Sequence, residues 1–458
     1  MAQYTFSGGI HPYDGKELSK DKPIRDVLPK GDLVYPVSQH IGAPAKPIVQ
    51  VGDKVKAGQM IAEAGGFVSA NIYATVSGTV KAIAKHRVPV GDMVDSIIVE
   101  NDGLYEEVEY TPAKPLEEQS KEEIIAAVKE AGIVGMGGAG FPTHVKLSPK
   151  DPNAIDYVIA NCAECEPYLT SDYRRMMENP ELLIGGMKCV LKLFDNAKGI
   201  IAIEDNKPDA IELLSRLTKD EPRIEVYALQ MKYPQGSERH IIYACTKRAI
   251  NSKMLPADAG CIVNNCDTLV AIHEAVTKHV PLMYRIVTVT GDAIKDPRNF
   301  KVRCGTNYKE LIEEAGGFVA EPEAVISGGP MMGFSLFDLD VPVTKTSSAL
   351  LCMKEDIVSR VQESACINCG RCVDACPEKL IPSQLATYAE HEDYEEFNRL
   401  YGVECIECGS CTYVCPAKRQ LAQAIKSMKK LAIGKARAEA AAAKAKAEAA
   451  SAGKGGDA

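Results

Sequence analysis

The sequence predicts a multidomain α/β protein. It should have an N-terminal β module, an α/β body, a short β-rich connector and a C-terminal iron–sulfur domain. Three observations predict this. A chain of 458 residues has room for about three domains. Strand-like and helix-like stretches alternate between residues 116 and 280, the pattern of helices crossing over between strands of one sheet. Near the C-terminus, Cys366, Cys369, Cys372 and Cys376, followed by Pro377, repeat as Cys405, Cys408, Cys411 and Cys415, followed by Pro416.

Each half of that repeat reads C-x2-C-x2-C-x3-C-P, the bacterial ferredoxin run. Three thiolates on one tight loop reach three irons of one cubane, and the fourth points away to the other cluster. One [4Fe-4S] cluster is therefore assigned to Cys366, Cys369, Cys372 and Cys415. The other is assigned to Cys405, Cys408, Cys411 and Cys376. Zinc does not use two tandem four-cysteine runs with this proline placement. Disulfides need an oxidising compartment, and the start of the chain does not read as a signal peptide.

Hydrophobic residues make up 46 % of the chain, enough for packed cores, and a net charge of −9 argues against nucleic acid as a partner. No apolar run reaches the roughly 18 residues a spanning helix needs, so any membrane contact is expected through partner subunits. Eight further cysteines, among them Cys162 and Cys165, are scattered. A reducing cytoplasm suits both sets, and buried thiols are the expected state of Cys162 and Cys165.

Residues 1–110 form the first region. Up to residue 30 the chain is polar and irregular. Short β segments punctuated by glycine follow, notably 51–62 and 74–83. These two stretches resemble the halves of a lipoyl-type barrel-sandwich hybrid. That family carries its modifiable lysine on the hairpin between the halves. Here the hairpin runs 63–71 without lysine, so a structural or docking role is expected instead.

A linker at 111–115 precedes Ser120 to Glu123, a capping box opening a helix at 122–131. Gly135, Gly137, Gly138 and Gly140 then crowd one loop. Such a loop lets backbone amides approach a phosphate, and a following helix N-terminus adds favourable potential. Spacing alone leaves a plain turn equally open, since a helix rather than a strand lies upstream. The wider sequence decides it. Residues 137–146 are similar to the flavin loop R-G-G-x-G-F-P-T-G-x-K of the NADH-binding flavoprotein subunit of respiratory complex I. Asn161 to Pro167 resembles N-x-D-E-S-E-P, Tyr233 to Glu238 resembles Y-x-x-G-E-E, and Asn264 to Leu269 resembles N-N-V-E-T-L. All four occur in the family's order.

That resemblance implies a non-covalent FMN. Gly137, Gly138, Gly140 and Lys146 would cradle its phosphate and ribityl chain, with Asn161, Asn264, Asn265 and Thr268 hydrogen-bonding the flavin. Glu164, Glu166 and Glu238 would face the nicotinamide nucleotide, NAD(H), although buried-carboxylate or helix-capping roles are open to each. Ala163 and Ser237 replace two acidic residues of the family. The flavin domain is expected over 116–280, with strands at 157–160, 199–204 and 223–228 and helices at 180–193, 208–217 and 238–250.

Residues 281–345 resemble the β-grasp-like, soluble-ligand-binding module that follows the flavin domain in the same families. Ser327 to Gly333 is expected to be a tight turn shaping the route from flavin to clusters. A helix at 356–363 should lead into the cluster domain, 355–430. The 28 residues between Cys376 and Cys405 include an acidic helix near His391. The Ala/Lys-rich tail, 431–458, reads as a marginal solvated helix or disorder.

The combination, in this order, is similar to the RnfC family of ion-translocating Rnf electron-transport complexes. The resemblance implies a peripheral subunit at the cytoplasmic face of the cell membrane. It would work with the other Rnf subunits, membrane-embedded and ferredoxin-like, as a ferredoxin:NAD+ oxidoreductase that moves Na+ or H+. Two alternatives stay open: the flavoprotein subunit of a soluble hydrogenase or dehydrogenase, and a flavin-less electron wire.

Overall fold

The computed structural model describes residues 4–452, so residues 453–458 of the expected tail lie outside the described residues. It separates into two compact units. One holds residues up to 5, 11–250 and 254–357; the other holds 6–10, 251–253 and 358 onward.

In the first unit, Leu33–Pro36, Met93–Asn101, Gly78–Arg87 and Lys54–Val55 form one antiparallel sheet, and Lys46–Pro47, Met60–Glu63 and Ile72–Tyr73 another. Leu33, Tyr35, Ile61, Ile72, Val80, Ile97 and Val99 fill the space between them. Alternation along each strand puts these side chains on the inner face.

The α/β body is a four-stranded parallel sheet ordered Ile224–Leu229, Lys198–Glu204, Tyr157–Cys162, Cys261–Asn265. Val158, Ala160, Ile201 and Ile203 face a core shared with Leu183, Met187 and Leu269. Ile159, Ile200 and Ala202 face the other way, onto Ile241, Ile242 and Ala244. Helices therefore cover both faces, as a parallel sheet requires. The chain winds outward from Tyr157–Cys162 to one edge, then returns to add Cys261–Asn265 on the other side. The switch point lies between those two strands, and ligands of such sheets bind outside the carboxyl ends there.

Expected helices and strands in this body fall within a few residues of the observed ones. The capping box forms: Glu123 N–H donates to Ser120 Oγ at 3.2 Å and Ser120 N–H to Glu123 Oε2 at 2.8 Å. The helix Glu238–Thr246 is shorter than expected, because Lys247 turns left-handed at φ 62° and ends it.

The connector is a six-stranded mixed sheet. Its edge strand, Arg25–Val27, pairs in parallel with Phe300–Val302 and comes from the N-terminal stretch expected to be irregular. The expected helix at 356–363 shrinks to one turn, Ile357–Arg360. Lys345 locks the three modules of this unit together. Its buried ammonium donates to the carbonyls of Asn71 and Gly132, and its amide donates to Gln39 Oε1 at 3.0 Å. Burial holds its pKa down at about 8.

The second unit packs Leu385, Phe397, Leu421, Ile425, Met428 and Ala432 into one core. The 28-residue insertion supplies two helices, Pro382–Glu390 and Tyr394–Arg399. The tail is a helix, Leu421–Ala452. Four apolar residues at helical spacing, Leu421 to Ala432, anchor its first turns, and packing rather than propensity starts it.

Candidate flavin site and iron–sulfur centres

The glycine loop lies over the switch point. Gly135 N–H donates to Phe141 O at 2.9 Å, closing the loop. A Cβ on Gly137 would stand 3.1 Å from the Asn265 side chain, whereas one on Gly138 would meet nothing within 4 Å. The first glycine permits close packing and the second opens onto space. Gly140, at φ 72°, occupies a backbone region that costs other residues roughly 1–2 kcal/mol. The segment after it, Thr143–Lys146, is a single turn. The expected helix N-terminus thus adds little potential, which leaves the loop amides as the donors a phosphate would meet.

Asn161 and Asn265 end neighbouring strands and are in register. Asn161 donates to Gly236 O at 2.7 Å. Asn265 accepts from Asp267 N–H at 2.9 Å, capping the helix Cys266–Lys278, and donates to Asp172 at 2.7 Å. Thr268 Oγ1 accepts from Met136 N–H at 3.0 Å. Lys146 donates to Val263 O at 2.7 Å and stands 3.5 Å from Glu238. Asn264 is different. It is buried, and neither amide atom of its side chain has a partner. Leaving such a group unsatisfied costs roughly 1–3 kcal/mol, so a polar ligand is the natural completion. Gln235 is buried and unpartnered in the same way. It falls at an unspecified position of the Tyr233 to Glu238 motif, so only burial reveals it. These residues fit an FMN.

The three glutamates separate. Glu238 is about half exposed beside Lys146. Glu164 turns inward: its carboxylate accepts from Asp172 N–H at 2.7 Å and Tyr173 N–H at 3.3 Å, capping the helix Ser171–Glu178. Glu166 accepts from the amides of Met331 and Met332 at 2.6 and 3.1 Å. It thereby uses the Ser327 to Gly333 turn, which joins Ala324–Ser327 to Phe334–Ser335. Burial pushes the Glu166 carboxyl up to about 6. Two buried lysines brace the same segment. Lys16 donates to Glu166 O at 3.1 Å and to Leu169 O, and lies 4.0 Å from Glu164. Lys207 donates to Ala163 O at 2.8 Å and pairs with buried Glu204 at 3.4 Å. Neither lysine sits in a motif, so the sequence carries no signal for them. Cys162 is buried as expected, while Cys165 Sγ accepts from Gly236 N–H at 3.2 Å.

Behind Asn265, Asp267 pairs with Arg285 and with Arg175, the latter at 2.8 Å. Burial alone would raise its pKa, and the two guanidiniums overcome that and hold it low. At Asp172 the pull of Arg285 and the Asn265 hydrogen bond is too weak to do the same. Burial, then Glu164 and Asp267, push it up to about 7. A carboxyl whose pKa is raised on folding stabilises the fold fully below its unfolded value, and that contribution is lost as pH rises through the folded value. Between about pH 4 and 7, stability should therefore fall less steeply in Asp172→Asn than in the parent. Urea midpoints measured across that range check this. Parallel pH profiles would rule it out.

The cysteine loops repeat in three dimensions. Left-handed residues recur at Asn368 and Glu407, Gly370 and Gly409, and Lys379 and Lys418. Cys366, Cys369, Cys372 and Cys415 line one cavity of about 30 Å³, with Arg419 and Ser383 in its wall. Cys376, Cys405, Cys408 and Cys411 form the second set. Burial raises each of these four thiols, and neighbouring thiols raise Cys376, Cys405 and Cys411 further, Cys405 to about 11 and Cys411 to about 12. Cationic iron reverses that logic, because a coordinating thiol is deprotonated outright. Amide N–H groups of Leu380 and Glu407 point at Cys376 Sγ and Cys405 Sγ, at 3.4 and 3.3 Å. Such bonds tune cluster potential.

A doubly covered sheet with an unsatisfied amide at its switch point, and two four-thiol sets in the same chain, define a flavin and iron–sulfur electron-transfer protein. Family models agree module by module. Residues 4–104 match the RnfC barrel sandwich hybrid domain and 128–274 the Nuo51 FMN-binding domain. Residues 286–335 match the SLBB domain and 365–419 the 4Fe-4S dicluster domain. The chain is 47 % identical over 428 residues to the C component of the proton-translocating ferredoxin:NAD(+) oxidoreductase complex of Clostridium ljungdahlii, covering 93 % of each chain. It is 44 % identical to the Na(+)-translocating counterpart of Acetobacterium woodii, covering 94 % of this chain and 98 % of that one. It is 38 % identical to the C component of the ion-translocating oxidoreductase complex of Pseudomonas aeruginosa, over 86 % of this chain and 51 % of that one. The chain belongs to the RnfC family, the C components of ion-translocating ferredoxin:NAD+ oxidoreductase complexes. Among the described residues no helix is long and apolar enough to cross a membrane.

Proposed function

We propose that this chain is the peripheral NAD(H)-linked subunit of an Rnf-type complex. It passes electrons between NADH, FMN and two [4Fe-4S] clusters, and other subunits hold it at the cytoplasmic face of the membrane. The observation that carries this is the buried, unpartnered Asn264 amide at the switch point, in a chain that also holds two four-thiol sets. When bound, FMN supplies the conversion between two-electron hydride chemistry and the one-electron steps of clusters.

The residues supply position and electrostatics. Gly137, Gly138 and Gly140 bring backbone amides to the phosphate. Lys146 neutralises it, and Asn161, Asn264, Asn265 and Thr268 orient the ring system. Glu238 stands on the nucleotide side. Glu164 and Glu166 hold the helix Ser171–Glu178 and the Met331 turn in place through backbone amides. Cys366, Cys369, Cys372 and Cys415 hold one cluster; Cys405, Cys408, Cys411 and Cys376 hold the other.

Anaerobic reconstitution with iron, sulfide and FMN, followed by NADH, tests the reading. Flavin bleaching and then reduced-cluster EPR signals are expected. Clusters without bound FMN, or FMN that NADH leaves oxidised, would favour a flavin-less wire.

A further inference from the structure

Two buried side-chain amides at the switch point lack partners, and only Asn264 stands at a position the flavin motifs name. The other, Gln235, is fully buried, and neither its Oε1 nor its Nε2 is hydrogen-bonded. Such a group offers an acceptor and two donors away from water, and leaving them unmet is costly. Its backbone is held in place. Gln235 N–H donates to Lys232 O at 3.0 Å, and Ser237 N–H donates to Pro234 O at 3.1 Å.

This turn is fixed to a strand end. Gly236 O accepts from Asn161 Nδ2 at 2.7 Å, and Gly236 N–H donates to Cys165 Sγ at 3.2 Å. A Cβ on Gly236 would stand 3.6 Å from Asn161 Oδ1, so the residue after Gln235 lies against Asn161. Gly137 packs in the same way on Asn265, the register partner of Asn161 on the neighbouring strand. The glycine loop thus abuts one strand end at the switch point, and the turn carrying Gln235 abuts the other.

FMN has three polar parts: a phosphate, a chain of ribityl hydroxyls, and the imide edge of its ring, an N3–H between two carbonyls. Loop amides and Lys146 meet the phosphate. Asn264 works from the Lys146 side, since the preceding Val263 O holds that ammonium at 2.7 Å. Gln235 works from the Asn161 side, and the imide edge is the part still unclaimed. A primary amide matches it, because its C=O can accept from N3–H while its NH2 donates to an adjoining carbonyl. We propose that Gln235 pairs with the imide edge of FMN, fixing the orientation of the ring and restricting the site to flavins with a free N3–H. This rests on FMN binding at the switch point.

Calorimetric titration of the full chain, with clusters loaded and flavin removed, tests this. 3-Methyl-FMN carries a methyl group on N3 and cannot donate there. The parent should bind it at least about tenfold more weakly than FMN. Gln235→Ala should bind FMN at least about tenfold more weakly than the parent does, and should no longer distinguish the two flavins. Gln235→Met keeps the length of the side chain and loses the amide. Without FMN it should raise the urea midpoint, since an unmet polar group has gone, whereas loss of a merely structural amide would lower it. A parent that does not discriminate, equal discrimination by parent and Gln235→Ala, or a lower midpoint for Gln235→Met would each overturn the proposal while the parent still binds FMN. A parent that binds neither flavin would instead overturn the FMN site at the switch point, and this inference with it.

Discussion

Replacing Cys376 with serine is expected to empty the cluster whose other three thiols lie beyond the two-helix insertion, and to spare the cluster of its own loop. Iron and acid-labile sulfide should fall by roughly half. The crossed arrangement is expected from how the thiols are placed. Cys415 lines the cavity of Cys366, Cys369 and Cys372, whereas Cys376 lies among Cys405, Cys408 and Cys411. A double substitution decides it. If the ligands cross, Cys369→Ala with Cys376→Ser removes a ligand from each cluster, and both are lost. If each loop held its own cluster, the same pair would empty only one, and half of the iron would remain. Cys369→Ala with Cys415→Ser is the control, touching one cluster in the crossed scheme and both in the uncrossed one. Leu385, Phe397, Ile425 and Met428 share their core with Cys376 and Cys411, so far-UV circular dichroism of each variant should accompany the iron count.

What could be read from the sequence depended on how local its cause was. Cluster spacing is local: ligands two residues apart must sit on one loop, so the dicluster domain was legible from its cysteine runs. The α/β body was legible through its alternating strand-like and helix-like stretches. The capping box was legible because its two partners are three residues apart. Non-local causes left no trace. Arg25–Val27 is three residues long and acquires strand character only by pairing with Phe300–Val302. Glu164 reads as an acidic motif residue, and only its distances to Asp172 and Tyr173 N–H identify a helix cap. The tail takes the helical form that its composition left open beside disorder. Its Ala/Lys composition is marginal in isolation, but Leu421, Ile425, Met428 and Ala432 supply the packed first turns that such a helix needs.

Lys16 is the sharpest case, and substituting it should have the largest effect on the flavin unit. Its ammonium, buried with Glu164 at 4.0 Å, is held below its ordinary pKa by burial while Glu164 pulls the other way. It satisfies the carbonyls of Glu166 and Leu169. Lys16→Met would strand those carbonyls and leave the Glu164 carboxylate without its cation. Breaking a buried pair by removing one partner costs about 3–5 kcal/mol, a large share of the 5–15 kcal/mol by which domains are usually stable. The urea midpoint should drop accordingly. FMN retention should drop with it, because Glu164 and Glu166 sit within a few residues of Asn161 on the segment that Lys16 braces. The penalty comes chiefly from an unpaired charge, so it should be partly relieved by removing that charge. Lys16→Met with Glu164→Gln should be more stable than Lys16→Met alone, with a coupling of about 0.5–3 kcal/mol in a double-mutant cycle. Strictly additive losses would mean that Lys16 acts only through the two carbonyls, and that Glu164 is satisfied by its amide donors without it.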